Sequence, residues 1–408
     1  MRTPALTVRL FPLFAALSFT PVMVPGIVMF WQDNGLDTFE VFVLQAVFAV
    51  AVVVLEVPTG MVADRVGKRT SLLLGQVVVA LGSVLYALGT GFWSFLGAEV
   101  TLAIGMTLLS GADAALLYDC LRQLGRESDF AAIESRTHSL RLASFALANV
   151  LGGFIIMHSL RGAMWASAVG PILAVPVVAC FAPGRAPQQT RGFAEGFRAY
   201  GELTTASLTF VRKHRLVRWF LLFQAVVSGS ATWLLWSYQP YMTLVGIPTW
   251  AYGVLFAVYN LVAAASSRAT PWLLRRFSDG GVFLVLGALQ ALPPLLMAAF
   301  RLPFSPLFVL GHQAVRGLSR PIISSRVLAY TYADKRATVL SLGSLAGRLF
   351  FAFTGPVVGW VGARHGLPTA LAGQGVALLG IFAILAWEYR RIPPKYRTVK
   401  PHVSDEAA

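Results

Sequence analysis

Apolar runs long enough to cross a bilayer recur along the whole chain, and this recurrence constrains the fold more than any other feature. A hydrocarbon core of about 30 Å takes about 20 helical residues. Such runs cover Leu10–Trp31, Val41–Ala63, Ser71–Gly91, Phe92–Tyr118, Thr137–Ser159, Ala163–Ala182, Trp219–Val245, Tyr252–Leu273, Val282–Phe300, Phe304–Tyr330, Val339–Val361 and Leu367–Trp387. They are near-continuously apolar, whereas barrel strands show short alternating segments, so helices are predicted. The first run follows a basic start but passes Pro21 and Pro25 to Trp31 without a small-residue cleavage site, and is read as a retained span. The expectation is an all-α membrane protein: twelve transmembrane helices in two six-helix pseudo-symmetric bundles.

Charge then decides between partners. Of 408 residues, 56% are hydrophobic and only 12% charged, about half the charge of a soluble domain, which excludes an ordinary globular enzyme and a disordered chain alike. The net charge of +15 is compatible with nucleic acid or with anionic lipid. With twelve spans, 24 of the 33 basic residues fall on the side of the termini and three (Arg161, Arg301, Arg364) on the other. The positive-inside rule therefore predicts both termini in the cytoplasm of a bacterial inner membrane, and assigns the basic excess to topology and lipid headgroups rather than nucleic acid. Cys120 and Cys180 make no disulfide framework, and neither has a metal-ligand neighbour. No phosphate-cradling G-x-x-x-x-G-K-S/T loop supports ATP drive. A monomer without metal or cofactor is expected.

The longest hydrophilic stretch, 183–218, reads as a cytoplasmic linker with an amphipathic helix, on the spacing of Phe193, Phe197, Tyr200 and Leu203. It separates an N-terminal bundle (1–182) from a C-terminal bundle (219–390), followed by a cytoplasmic tail (391–408). The halves read as repeats. Arg141-Leu142 precedes Ala148–Gly153 as Arg348-Leu349 precedes Gly355–Trp360, an offset of 207 that lays the fifth span over the eleventh.

Between the second and third spans stands Gly60-Met61-Val62-Ala63-Asp64-Arg65-Val66-Gly67-Lys68-Arg69. Gly60 is small enough for close helix approach, Gly67 permits a tight turn, and Asp64 is placed to accept backbone N–H groups at a helix start. Arg65, Lys68 and Arg69 can pair with acids or lipid phosphates, or simply fix topology. This decapeptide resembles the loop signature G-x-x-x-D-R-x-G-R/K-R/K of the major facilitator superfamily (MFS). Glu56–Gly60, Ser110–Asp113 and Leu117–Asp119 look like a bacterial branch usually labelled drug-efflux-like. The resemblance implies an alternating-access transporter in which Asp64 meets the start of the eleventh helix as a conformational latch, with Asp119 as the partner of Arg65. The matching loop of the second half, Leu273–Gly280, lacks the aligned acid, so no second latch is expected there. The family's antiporter glycine–proline signature is also incomplete: the fifth span keeps Gly152-Gly153 without the proline.

Charges inside spans are costly when lipid-facing. The acids are Glu56, Glu99 and Asp113; the bases are Arg141, Arg268, Arg316, Arg320, Arg326 and Arg348. Glu56 lies eight residues before Asp64, about 12 Å along a helix. Burial disfavours a charged carboxylate and an arginine favours it, so Glu56 and Asp113, with Arg316 and Arg348, are the candidates for proton coupling; static ion pairing is the competing reading. Glu99 is a weaker candidate. His312, Arg316 and Arg320 recur every four residues on one face, as a cavity lining or as structural pairs. Gln224, Trp233, Trp236, Tyr259, Asn260 and Arg320 are the candidate substrate contacts, aromatic with scattered polar groups; an interfacial aromatic belt is the alternative. The leading expectation is proton-coupled efflux (antiport) of small organic or drug-like molecules. Alternatives are proton symport of a sugar or organic anion, a facilitator, or a non-transporting receptor or assembly protein.

Overall fold

The computed structural model describes residues 2–184, 193–331 and 335–393, and the described residues contain helices and turns but no strands. The helices are α1 (Pro4–Leu17), α2 (Ile27–Asp33), α3 (Thr38–Val66), α4 (Lys68–Leu88), α5 (Gly91–Leu109), α6 (Ala112–Gln123), α7 (Phe130–Ile155), α8 (Leu160–Ala179), α9 (Phe193–Lys213), α10 (Arg215–Leu244), α11 (Thr249–Arg268), α12 (Thr270–Arg276), α13 (Asp279–Ala299), α14 (Val309–Ala329), α15 (Arg336–His365) and α16 (Leu367–Arg390). Nine stretches among them are long and apolar enough to cross a membrane, α5 and α6 counting as one. The predicted first, fifth and tenth spans fall outside that set, the tenth because α14 carries Arg316, Arg320 and Arg326.

The chain divides into two compact units. The first takes residues 1–197 with 247–257, the second 198–246 with 258–408. α9 is helical as expected, but Phe193, Phe197, Tyr200 and Leu203 have side chains outside the described set, as do Arg185, Arg191 and residues 394–408 of the tail.

Three predicted spans are broken helices, the eighth where α11 gives way to α12 at Ala269. The first stops at Leu17 and resumes through a 3₁₀ turn, Val24–Gly26, to α2, as Pro21 and Pro25 dictate. The fourth breaks between α5 and α6 where Gly111 adopts a left-handed φ of 76°. α3 begins at a capping box in which Asp37 accepts from Glu40 N at 2.8 Å and Glu40 accepts from Asp37 N at 3.0 Å. It ends at Gly67, whose φ of 86° lets α4 start at the next residue.

Within the first unit α4 packs on α5 and α8, α3 on α5, and α1 on α7; within the second, α10 packs on α15 and α14, and α13 on α16. Small residues allow these approaches. A Cβ at Gly152 would fall 1.9 Å from Val22 O, so α7 needs that glycine to seat against the break in the first span. A Cβ at Gly347 would fall 2.0 Å from Ser228 Oγ, where α15 meets α10. Gly60 differs from its expectation: a Cβ there meets nothing within 4 Å.

The exposed apolar positions Leu147, Leu151 and Phe154 of α7 and Phe353, Val357 and Trp360 of α15 recur with the same spacing.

Candidate functional site

The signature loop is tied into the first unit by its two last basic residues. Lys68 Nζ lies 2.8 Å from Asp119 Oδ2, joining the start of α4 to α6. Arg69 donates from Nε to Phe181 O (2.7 Å) and from Nη2 to Ala179 O (2.9 Å), capping the C-terminal carbonyls of α8 where a cation is favoured. Lys68 is thus a partner of Asp119; the pairing of Asp119 with Arg65 remains an expectation. Asp64 and Arg65 are exposed in the last turn of α3. The stretch leading into α15, 332–334, is outside the described residues, so the contact expected of Asp64 remains an expectation.

The second unit holds an ion pair of reversed polarity. Asp279, first residue of α13, lies 2.5 Å from Arg326 Nη2 on α14, both about one-fifth exposed. The Leu273–Gly280 loop therefore does carry a working acid, one position past its basic pair and the phenylalanine–serine step.

Of the expected proton carriers, Glu56 is exposed on α3. Asp113 caps its own neighbourhood, accepting from Ala114 N at 2.8 Å, and lies 3.5 Å from Arg141 Nη2. The buried acid is instead Glu99, 5% exposed, eight residues into α5 and so about 12 Å from its start. Gln45 Nε2 of α3 and Tyr86 Oη of α4 both donate to Glu99 Oε1, the latter at 2.7 Å. Tyr86 stacks on Phe95 (centroids 5.4 Å) and lies against Trp31 (6.5 Å), closing the group with aromatic rings. Among the described residues no cation pairs with Glu99. An intramembrane acid surrounded by neutral donors can accept two hydrogen bonds when ionised, and donate one when protonated.

A second polar cluster lies in the second unit. Tyr238 of α10 and His312 of α14 are 2.5 Å apart (Oη to Nδ1), and Gln313 Nε2 donates to the Tyr238 oxygen at 3.0 Å. The Tyr238 hydroxyl and His312 Nδ1 share one hydrogen bond whose direction follows the ring tautomer. His312 Nε2 is buried and has no hydrogen-bond partner, like Gln313 Oε1. Tyr259 donates to Pro306 O at 2.8 Å, and Arg316 Nη2 donates to Asn260 Oδ1 at 2.5 Å.

The candidate substrate contacts separate by burial. Trp233 is 3% exposed, donating to Thr354 Oγ1 at 3.0 Å, and Tyr259 is 1% exposed. Gln224 sits over Gly343. These three are part of the helix packing. Trp236 and Asn260 are half-buried, and Arg316, Arg320 and Arg348 are exposed. An apolar cavity of about 850 Å³ among α10, α13 and α16, lined by Trp219, Phe283, Phe382 and Tyr389, contains none of the candidates. Glu99 had a signal in the sequence, an acid inside a span, but its partners Gln45 and Tyr86 have no motif. Among the described residues no cluster could hold a metal ion.

The fold is shared with proteins of known structure. A nucleoside transporter, NupG, superposes with a TM-score of 0.75 at 13% identity, over 96% of this chain and 98% of that one. An inward-facing, unoccupied bacterial homolog of the human lysosomal transporter Spinster superposes at 0.67 and 17% identity, over 95% and 96%. In sequence, 152 residues are 24% identical to the uncharacterized transporter BU466 of Buchnera aphidicola subsp. Acyrthosiphon pisum (strain APS), over 37% of each chain. A further 121 residues are 31% identical to the inner membrane transport protein YajR of Escherichia coli (strain K12), over 28% of this chain and 24% of that one. The chain thus matches 37% and 24% of the lengths of these two relatives. The profile of the Major Facilitator Superfamily matches residues 10–349. With its helical units and its signature loop joining α3 to α4, the chain is a multi-pass membrane protein that belongs to the Major Facilitator Superfamily of transporters.

Proposed function

We propose that the protein is a proton-coupled secondary transporter of small organic molecules, working by alternating access as an exporter in a bacterial inner membrane with both termini cytoplasmic. The observation that carries the coupling is Glu99: a carboxyl buried in the first unit with Gln45 and Tyr86 as donors and no cation beside it. Such an acid can gain or lose its proton as its surroundings change, whereas Asp113, beside Arg141, has the static partner of a structural ion pair. Glu99 therefore replaces Glu56 and Asp113 as the leading carrier. Export follows the branch that the Glu56–Gly60, Ser110–Asp113 and Leu117–Asp119 segments resemble.

Proteoliposomes loaded with a pH-sensitive dye test this reading. Addition of a transported solute, from a panel of amphipathic amines, sugars and organic anions, is expected to move protons in the wild type but not in Glu99→Gln. Solute flux that ignores an imposed pH gradient would remove proton coupling. The exposed arginines of α14 favour a second reading, uptake of an organic anion with protons. Membrane voltage separates the two. One-for-one symport of a proton with a monovalent anion moves no net charge, whereas one-for-one antiport moves two with that anion, one with a neutral solute and none with a monovalent cation, at about 2.3 kcal/mol per charge per 100 mV.

A further inference from the structure

The helix α14 is unlike its neighbours in what it exposes. Every other described helix of 20 residues or more shows at least one large apolar side chain, among them Leu222 on α10, Leu284 on α13, Phe353 on α15 and Val376 on α16; α14 shows none. Its exposed positions include Arg316 and Arg320 instead. A lipid-facing pair of guanidinium groups would cost several kcal/mol, so this face meets water or a polar ligand. Neither arginine has an acidic partner among the described residues. Arg316 is steadied by the neutral Asn260 at 2.5 Å. One turn before it on the same face, His312 carries the buried Nε2 that has no hydrogen-bond partner. Two cationic donors one turn apart, beside a buried polar atom without a partner among the described residues, ask for oxygen acceptors with negative charge.

We propose that the His312–Arg316–Arg320 face of α14 binds the oxyanion of the substrate, which makes that substrate a small organic anion bearing a carboxylate or phosphate. Planar guanidinium forks match both groups, and Arg320, with no acidic partner among the described residues, is the specificity residue. The inference rests on the chain being a transporter but not on its proton coupling or its direction.

Thermal stabilisation of the purified full-length protein reads binding without flux. The probes are benzoate, phenyl phosphate, the neutral benzamide and the cationic benzylamine, matched in ring and size. Benzoate or phenyl phosphate is expected to raise the melting temperature where benzamide and benzylamine do not, and the stronger of the two identifies carboxylate or phosphate as the preferred group. Arg320→Gln should weaken that binding by at least about tenfold, and Arg320→Lys should recover part of it. Equal stabilisation by benzamide or benzylamine, no stabilisation by either anion, or unchanged anion binding in Arg320→Gln would overturn the proposal. Anion binding together with gradient-independent flux would uphold it while removing proton coupling; proton-linked flux of a neutral or cationic solute would do the reverse.

Discussion

Glu99 in the first unit and His312 in the second are each buried in a polar cluster, the first tying three helices and the second two, yet the clusters are finished differently. Around Glu99 two neutral donors converge on one carboxylate oxygen, and aromatic rings close the rest. Around His312 the bonds join Gln313, Tyr238 and the ring, and the buried Nε2 has no partner among the described residues, with two arginines further along the same face. An acid held by neutral donors is suited to carry a proton. Cations without an acidic partner are suited to hold an anionic solute. The difference teaches that pseudo-symmetric halves need not divide the work evenly: here the intramembrane acids Glu56, Glu99 and Asp113 all lie in the first half, and all the intramembrane bases except Arg141 lie in the second.

The sharpest way to break this comparison is to remove each charge in turn. Glu99→Gln keeps the size of the side chain and removes its ability to ionise, so solute-linked proton movement should fall to that of protein-free liposomes. Arg316→Gln should instead weaken solute binding while each solute that is carried still moves its protons. If Arg316→Gln uncouples as fully as Glu99→Gln, the two clusters do not have separate tasks.

A smaller effect is expected from Tyr238→Phe. The hydroxyl accepts from Gln313 and serves His312, so its loss leaves two buried polar groups without their partner, worth roughly 1–3 kcal/mol. A lower melting temperature in detergent with proton linkage intact is the expected result. An unchanged melt would mean that the second cluster contributes nothing to holding α10 on α14.

Much of this organisation is legible in the sequence, because spans are written as apolar runs and the loop signature as a spaced set of glycines and charges. Gly67 could be assigned its turn from that pattern, and its φ of 86° bears the assignment out. Other features depend on partners that no local pattern names. Glu99 reads as one acid among three until Gln45 and Tyr86, 54 and 13 residues away, are brought to it. Asp279 was discounted because the second loop was compared position by position with the first, whereas its partner Arg326 comes from another helix.

The subtlest contrast is between the two ion pairs that join the third span to the fourth and the ninth to the tenth. In the first unit the cation, Lys68, starts the helix after the loop and the acid, Asp119, answers from α6; in the second the acid, Asp279, starts α13 and the cation, Arg326, answers from α14. An acid at a helix N-terminus is favoured by the helix dipole and a lysine there is not, so the second pair has the better polarity. Its side chains are also nearly equally buried, 22% and 20% exposed, whereas Lys68 is 33% exposed and more screened by solvent. Asp279→Asn should therefore cost about 1–2 kcal/mol and Lys68→Met about 0.5–1 kcal/mol. The exchange Asp279→Arg with Arg326→Asp reproduces the polarity of the first unit, and its melt should lie between wild type and Asp279→Asn. A double variant as stable as wild type would show that polarity carries no weight, and one less stable than Asp279→Asn would show that the two positions are not equivalent in the two units.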